Sequence, residues 1–363
     1  MPGALDGLTI IEMAGLGPGP FAAMMLADHG ARVIRVERPG NLSVPNDPLT
    51  RNRESIALDL RQEEARAIVR ALAGRAEGLI EGYRPGVMEK LGFGPDELLE
   101  ANPKLVYGRV TGWGQEGPLA QAAGHDINYL ALTGLLSAIG TKDRPAVPPL
   151  NLVADYAGGG LMLAFGMVAA LLHAQRSGEG QVVDAAMTDG AALTGAIIYG
   201  MRAAGLWKDE REANLLDGGD AIYGCYRCAD DKELSVGAIE PQFRAALFEG
   251  LGVGTSPSRS EMAEAIARRP RDEWVAHFAR IDACVAPVLG LGEAPAYPHN
   301  QARGTFIEVG GVTQPGPAPR LGSTPADAPR APREEGADGS AILAELGYDE
   351  AAIAGLRTSG AVR

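Results

Sequence analysis

Residues 8–37 read LTIIEMAGLGPGPFAAMMLADHGARVIRVE. The run Leu8–Met13 is short and apolar, as a buried strand requires. A Gly/Pro loop follows, Gly15–Pro20. Phe21 to His29 then carries apolar residues at helical spacing, and Gly30 stops it, as a glycine past a helix end does. Val33–Val36 is the next strand. Strand, loop, helix and strand in this span make a βαβ unit, and its crossover commits the chain to a parallel sheet. A second cycle repeats the pattern: strand Ser55–Leu60, helix Gln62–Leu72, strand Gly78–Glu81, short helix Val87–Leu91, strand Leu105–Thr111. The alternation predicts an α/β fold with a Rossmann-like large domain, its mostly parallel sheet covered on both faces.

Beyond residue 112 the character changes. His125–Ser137, Asp155–Gln175 and Asp184–Tyr199 read as helices rich in Ala and Gly. Residues 201–220 form a polar connector. From Ala221, strands Ile222–Cys228 and Glu233–Gly237 and helices Gln242–Leu251 and Arg271–Arg280 predict a smaller α+β domain. The expected division is 1–200 with 321–363, then 221–320. Thr313–Arg333 is rich in Pro and Ala and reads as an extended arm. A last helix spans Ser340–Leu356.

The 363 residues carry 33 Lys+Arg and 46 Asp+Glu, a net charge of −13. That acidity argues against nucleic acid or an anionic membrane, which require a basic field. A small anion held by a few arginines stays possible. Three cysteines are a poor disulfide framework and suit a reducing cytoplasm. No leader is read at Met1–Glu12, nor a peroxisomal address at Ala361–Arg363. The apolar run 157–172 falls short of the ~20 residues a spanning helix needs and reads as a core helix.

Four constellations bear on chemistry. Gly15–Pro20 follows a strand and opens a helix, with Glu37 about 20 residues on, as in dinucleotide-binding loops. Its third glycine comes one residue early, and Pro20 replaces the close-packing glycine. Cys225 and Cys228 lie in one predicted strand without a second pair, which gives zinc too few ligands. Cys284 reads as a small buried residue. His125 and Asp155 each stand at the start of a predicted helix, where free N–H groups stabilise negative charge. Plain capping explains both positions equally well. The glycines 158–160 strip one helix face, as if a ligand or another backbone approached it. Finally, Arg35, Arg38, Arg51, Arg53, Arg61 and Arg84 fall at predicted strand ends or loops. Arg38 and Arg84 are best placed for phosphate.

Five runs carry a resemblance: Ala123–Gly134 (AGHDINYLALTG), Pro149–Gly160 (PLNLVADYAGGG), Gly237–Phe243 (GAIEPQF), Asp282–Val288 (DACVAPV) and Pro298–Gly304 (PHNQARG). They resemble the α-methylacyl-CoA racemases, a branch of the family III CoA-transferases. The resemblance runs from Leu5 past Pro325. It implies that His125 takes the α-proton of the S epimer and Asp155 that of the R epimer, with the Glu240 carboxylate pairing the histidine. It implies CoA-thioester contacts at Arg38, at Leu58, Asp59, Leu60 and Arg61, at Arg84, and at Gly124, Asp126, Ile127, Asn128 and Tyr129. It implies no cofactor beyond the CoA of the substrate, no metal, and a homodimer of interlocked chains. The alternative within the superfamily is a CoA-transferase in which Asp155 is the nucleophile; His125 discriminates the two. Glu54 departs from the more basic run usual there and sets an acid beside the presumed phosphate contacts. The segment Val253–Met262 is shorter than in longer relatives.

Elementary chemistry agrees with the two-base reading. Epimerisation beside a thioester needs one group on each face of the carbon, one accepting a proton while the other donates. Asp155 then needs a raised pKa, which burial supplies. The amides around Asp126 are candidate donors to the enolate oxygen.

Overall fold

The computed structural model describes residues 3–40, 44 and 46–363. Met1 and Pro2, at the head of the segment read for a leader, lie outside the described residues. The chain divides into two units. The first contains Met1–Thr133, Leu150–Gly195 and Phe306–Arg363; the second contains Gly134–Pro149 and Ala196–Thr305.

The first unit is built on six strands: β1 (Thr9–Met13), β2 (Arg32–Glu37), β3 (Arg53–Ala57), β4 (Gly78–Glu81), β5 (Val106–Thr111) and β6 (Gln181–Ala186). They lie in the order β3-β2-β1-β4-β5-β6, all parallel. The chain turns back between β1 and β4, and open α/β sheets bind ligands at such a switch point, beyond the carboxyl ends of the strands. The helices are α1 (Pro18–Asp28), α2 (Glu63–Ala73), α3 (Val87–Lys90), α4 (Pro95–Ala101), α5 (Asp126–Leu132), a π-helix (Leu152–Leu161) continued by α6 (Met162–Ser177), and α7 (Met187–Thr194).

Strand alternation sorts the two faces. Ile11, Met13, Ile34, Val36 and Ile56 pack into a core with Ile68 and Leu72 of α2, Met88 of α3 and Leu98 of α4. On β1–β3 the opposite face carries Glu12, Arg35, Glu37, Arg53 and Ser55. There Glu12, fully buried, is bonded by Arg35 and, at 3.0 Å, by Arg53.

The sixth strand is a correction, since Asp184–Tyr199 was expected to be one helix. Val182 and Val183 are β-branched, and Val106–Thr111 offers a free parallel edge to residues 181–186. The helix begins only at Met187. The terminal helix also differs from expectation. It is two helices of the first unit, Gly339–Glu345 and Glu350–Ser359, broken where Gly347 takes φ +99° and Asp349 accepts the Ala352 amide at 2.8 Å.

The 152–177 stretch is longer than the sequence suggested. By length and composition it is long and apolar enough to cross a membrane, yet half of its most apolar window is buried within the protein. Leu163, Met167, Ala170 and Leu171 face the core, while Leu161, Phe165, Val168 and Leu172 are exposed. It is therefore a core helix on one face only.

The second unit holds an antiparallel sheet of β7 (Tyr223–Arg227), β8 (Glu233–Gly237) and β9 (Val285–Val288). The helices of this unit are α8 (Ala196–Ala203), α9 (Pro241–Leu251), α10 (Arg259–Ile266), α11 (Arg271–Phe278) and α12 (Pro298–Arg303). Leu234 and Val236 pack with Leu247, Phe248, Met262 and Trp274 into its core.

The boundaries depart from the expected ones. Gly134–Pro149 goes with the second unit because the Arg211 guanidinium gathers the carbonyls of Ser137, Thr141 and Arg144 at 2.8–3.0 Å. Return to the first unit falls at Phe306, where a hairpin of β10 (Phe306–Val309) and β11 (Val312–Pro315) forms. Arg51 anchors that hairpin, donating to the Gln314 side chain at 2.8 Å and the Pro315 carbonyl at 2.7 Å.

Arg51 is 2% exposed and also donates to both oxygens of the buried Asp28. Truncating one partner of a buried pair strands the other charge. Arg51→Ala is expected to cost about 3–5 kcal/mol of stability, measured by urea unfolding followed by circular dichroism.

Candidate active site

The carboxyl edge of the parallel sheet gathers most of the residues singled out from sequence. In spatial order, the segment Leu58–Arg61 follows β3, Arg38 follows β2, Gly15–Gly17 follows β1, Arg84 follows β4, and the stretch leading to His125 follows β5. Five adjacent strands at ~4.8 Å spacing span about 19 Å, which suits an elongated ligand laid across the sheet end.

These residues are unequal. Arg38 and Arg84 are exposed, and neither side chain makes a hydrogen bond or ion pair among the described residues. Arg61 is bonded to Asp59, with both contacts at 2.8 Å, and holds that carboxyl well below the usual range. Leu58 is fully buried in the core, so its side chain offers no ligand contact, while Leu60 is half-buried and packs against that core. Arg35, Arg51 and Arg53 are corrected as well. All three are buried and paired with Glu12, Glu37 or Asp28. Glu54 projects to the other face of β3 and pairs with Arg32 at 2.7 Å, away from Arg53 and Ser55. It adds no charge to the arginines of that polar face.

Asp155 sits in the π-helix, whose placement depends on small residues. A Cβ on Gly158 would come within 2.6 Å of the Ala191 amide nitrogen of α7. One on Gly160 would meet Phe21 at 2.7 Å and the Pro18 carbonyl at 3.0 Å. The glycine run therefore receives two other backbones, one of the two possibilities open from sequence. Gly17, at φ +67°, brings the β1–α1 loop beside the carboxyl; its Cβ position lies 3.8 Å from Asp155 Oδ2. The loop that resembles a dinucleotide fingerprint thus borders Asp155. Glu37, the expected ribose partner of such a loop, is taken by Arg35 at 3.1 Å and by the Ser55 hydroxyl.

Burial, first of all, raises the Asp155 pKa above the ordinary carboxylate value. The Asn151 amide, donating to Oδ2 at 3.2 Å, opposes this; the Asp126 charge adds to it, and His125 lowers it. Asp126 is itself buried, and its Oδ2 accepts the amides of Ala154 and Asp155, both at 2.8 Å. Its side chain therefore faces inward, not toward a ligand.

His125 is exposed at the N-terminus of α5. Its amide donates to the Asn128 side chain at 3.1 Å, and its carbonyl accepts from the Asn128 and Tyr129 amides. Asn128 is thereby used in capping. The first amides of α5, of Asp126 and Ile127, precede these bonds at the open helix end. Tyr129 packs edge-on to Trp113, with centroids 4.8 Å apart, and its hydroxyl donates to the Gly124 carbonyl. Burial raises the Tyr129 pKa; Asp155 adds to that shift and Arg84 opposes it, which ties all three to one locality. His125, Tyr129, Trp113, Arg84 and Gly124 line a cleft of about 210 Å³ beyond β4 and β5.

Glu240 belongs to the second unit, exposed at the N-terminus of α9. Cys284 is exposed rather than buried, and its thiol pKa is raised by partial desolvation and by the charges of Asp282 and Glu240. Cys225, in β7, is exposed, and Cys228, just past the end of that strand, is buried, so the two do not form a pair on one face. Among the described residues no cluster of three His, Cys, Asp or Glu side chains suits a metal.

Sequence reasoning missed Asn151 and Gly17 as neighbours of the carboxyl. The i, i+4 spacing of Asn151 and Asp155 was the available signal for the first.

A doubly wound sheet with a half-buried carboxyl and an exposed histidine at its carboxyl edge has the layout of an α/β enzyme, and the comparisons specify its class. The family model described as CoA-transferase family III matches residues 5–338, and the chain belongs to that family. It is 44% identical over 364 residues to the alpha-methylacyl-CoA racemase of Mus musculus, covering 96% of this chain and 95% of that protein. It is 45% identical over 337 residues to the alpha-methylacyl-CoA racemase of Homo sapiens, covering 89% and 88%. A crystal structure of a CaiB/BaiF family protein from Brucella suis superposes with a TM-score of 0.83 at 26% identity, covering 95% of this chain and all of that one.

A hydrogen bond to a carboxylate favours its charged form. Asn151→Ala is therefore expected to push the Asp155 pKa further upward. Carbon-13 carboxyl NMR across a pH series, with Asp155 assigned by its loss in Asp155→Asn, reads the shift.

Proposed function

We propose that this chain interconverts the R and S epimers of 2-methylacyl-CoA thioesters by 1,1-proton transfer through an enolate. One arrangement carries the reading: His125 lines a cleft beyond β4 and β5, and its charge acts on Asp155, a half-buried carboxyl whose pKa burial holds above the ordinary value. The names of the 44–45% identical relatives support it.

From the S epimer, the neutral His125 ring takes the α-proton. The C–H electron pair passes into the thioester and makes the enolate. Protonated Asp155 then returns a proton to the opposite face, and the carbon is inverted. From the R epimer the roles exchange: ionised Asp155 accepts and the imidazolium donates. Amides at the start of α5 stabilise the enolate oxygen. The resemblance assigns Glu240 the part of a carboxylate that pairs with the histidine. Arg38, Arg84 and the Asp59–Arg61 segment take the CoA phosphates and adenosine. This chemistry needs no metal and no further cofactor.

We further propose that the enzyme works as a homodimer in the cytoplasm. The exposed stripe Leu161, Phe165, Val168 and Leu172 is a surface a second copy would cover, with Phe165 72% exposed. The free state of all three cysteines suits a reducing compartment.

The test uses one epimer of a 2-methylacyl-CoA in D2O without an acceptor acid. The expected result is α-deuteration and appearance of the other epimer, with no metal required. Transfer of CoA to an added carboxylate without exchange would instead support the transferase reading, with Asp155 as nucleophile. Light scattering gives the mass, and Phe165→Glu is expected to shift it from dimer toward monomer.

A further inference from the structure

We infer that the buried side chain of Asp126 is a positioning residue, which locks the helix bearing Asp155 to the helix end bearing His125. The inference rests on the two-base reading above and deepens it. The resemblance assigns Asp126 to ligand contact, but its side chain is 5% exposed and turned inward. One of its oxygens accepts two amides, those of Ala154 and Asp155, both at 2.8 Å. Those amides belong to the first turn of the π-helix, where the backbone has donors to spare. Asp126 is also the first residue of α5, directly after His125. A single carboxylate therefore joins the two proton-transfer groups through backbone, over a path of a few bonds on each side. Charge-assisted bonds of this kind are short and about twice as strong as neutral ones. Proton transfer on two faces of one carbon tolerates little drift, since a misplacement of about 1 Å can cost 10²-fold in rate.

The other oxygen, Oδ1, is buried and has no hydrogen-bond partner among the described residues. A neutral cap such as Ser or Asn would satisfy the two amides without leaving a lone anionic oxygen in the interior. The retained charge thus has a further consequence. It acts on Asp155, adding to burial in holding that carboxyl above its ordinary value. The other groups facing the π-helix are accounted for as follows. On α5, His125 opposes the shift, and Tyr129 is itself perturbed by Asp155. On α1, Asp28 is paired with Arg51, and on β5, Arg109 is paired with Glu81 and Glu89. Asp184 of β6 accepts the Gln115 amide, Asp189 lies on α7, and His173 and Arg176 lie toward the far end of α6. Of these, Asp126 and His125 are the charges that act on Asp155.

Two variants separate geometry from charge. Asp126→Asn keeps an oxygen for the two amides and removes the charge. Asp126→Ala removes both. In Asp126→Asn the Asp155 pKa, read by carbon-13 carboxyl NMR, is expected to fall, because the neighbouring charge that raises it is gone. The limb of the pH–rate profile that reports Asp155 should move to lower pH by the same amount. Asp126→Ala is expected to lower kcat at least tenfold with KM changed less than about twofold, because positioning and not CoA affinity is lost. Asp126→Ala with kcat near wild type would overturn the positioning role, and an unchanged Asp155 pKa and pH profile in Asp126→Asn would overturn the charge coupling. If Asp126→Ala does not fold, Asp126→Glu, which keeps the charge but displaces the oxygen from the two amides, takes its place with the same expected loss of kcat. If the wild type exchanges no α-proton, the racemase reading fails, while the NMR titration still tests the coupling.

Discussion

The close approach of three backbones around the glycine run governs this site. Gly158 lies against α7, Gly160 lies against α1, and a Cβ on Gly190 would overlap the Gly158 carbonyl. With no side chains between them, the π-helix is wedged where the β1–α1 loop leaves the sheet. Asp155 is delivered there beside Gly17 and becomes half-buried. A π-helix widens the backbone and is common at functional sites. Its free N-terminal amides are the ones that Asp126 takes up. Placement, partial burial and the raised pKa of Asp155 thus descend from one packing constraint.

A second constraint is the polar interior on the α1 face of the sheet. Glu12, Arg35, Glu37 and Arg53 satisfy one another there, and Arg51 closes on Asp28 and the β10–β11 hairpin. This network pairs three arginines with the protein's own carboxylates. Against a net charge of −13, this edge carries the exposed Arg38 and Arg84, whose side chains make no bond among the described residues, and the Asp59–Arg61 pair. Local placement and not the global field must then set the affinity for CoA.

Most of the α/β architecture was legible in the alternation of short apolar runs with helical spacing. The missing strand, Gln181–Ala186, escaped because Ala-rich continuity into Met187 imitates a helix. Only pairing with β5, a non-local event, decides it. The arginines were misread for a related reason. Position at a strand end is visible in a sequence, whereas the face a residue occupies depends on register with its neighbours. Glu54 shows this best, since one step along the strand turns it away from Arg53. His125 and Asp155 were legible as helix-start residues. Asp126 as their link was not, because its partners lie 28 and 29 residues on and are backbone amides without any side-chain signature.

The most direct test of two bases on opposite faces is α-proton exchange of each separate epimer in D2O by single-base variants. Asp155→Asn is predicted to wash deuterium into the S epimer without inverting it. His125→Gln is predicted to do the same to the R epimer only. Inversion by either variant at near the wild-type rate, or exchange of the same epimer by both, would contradict the account.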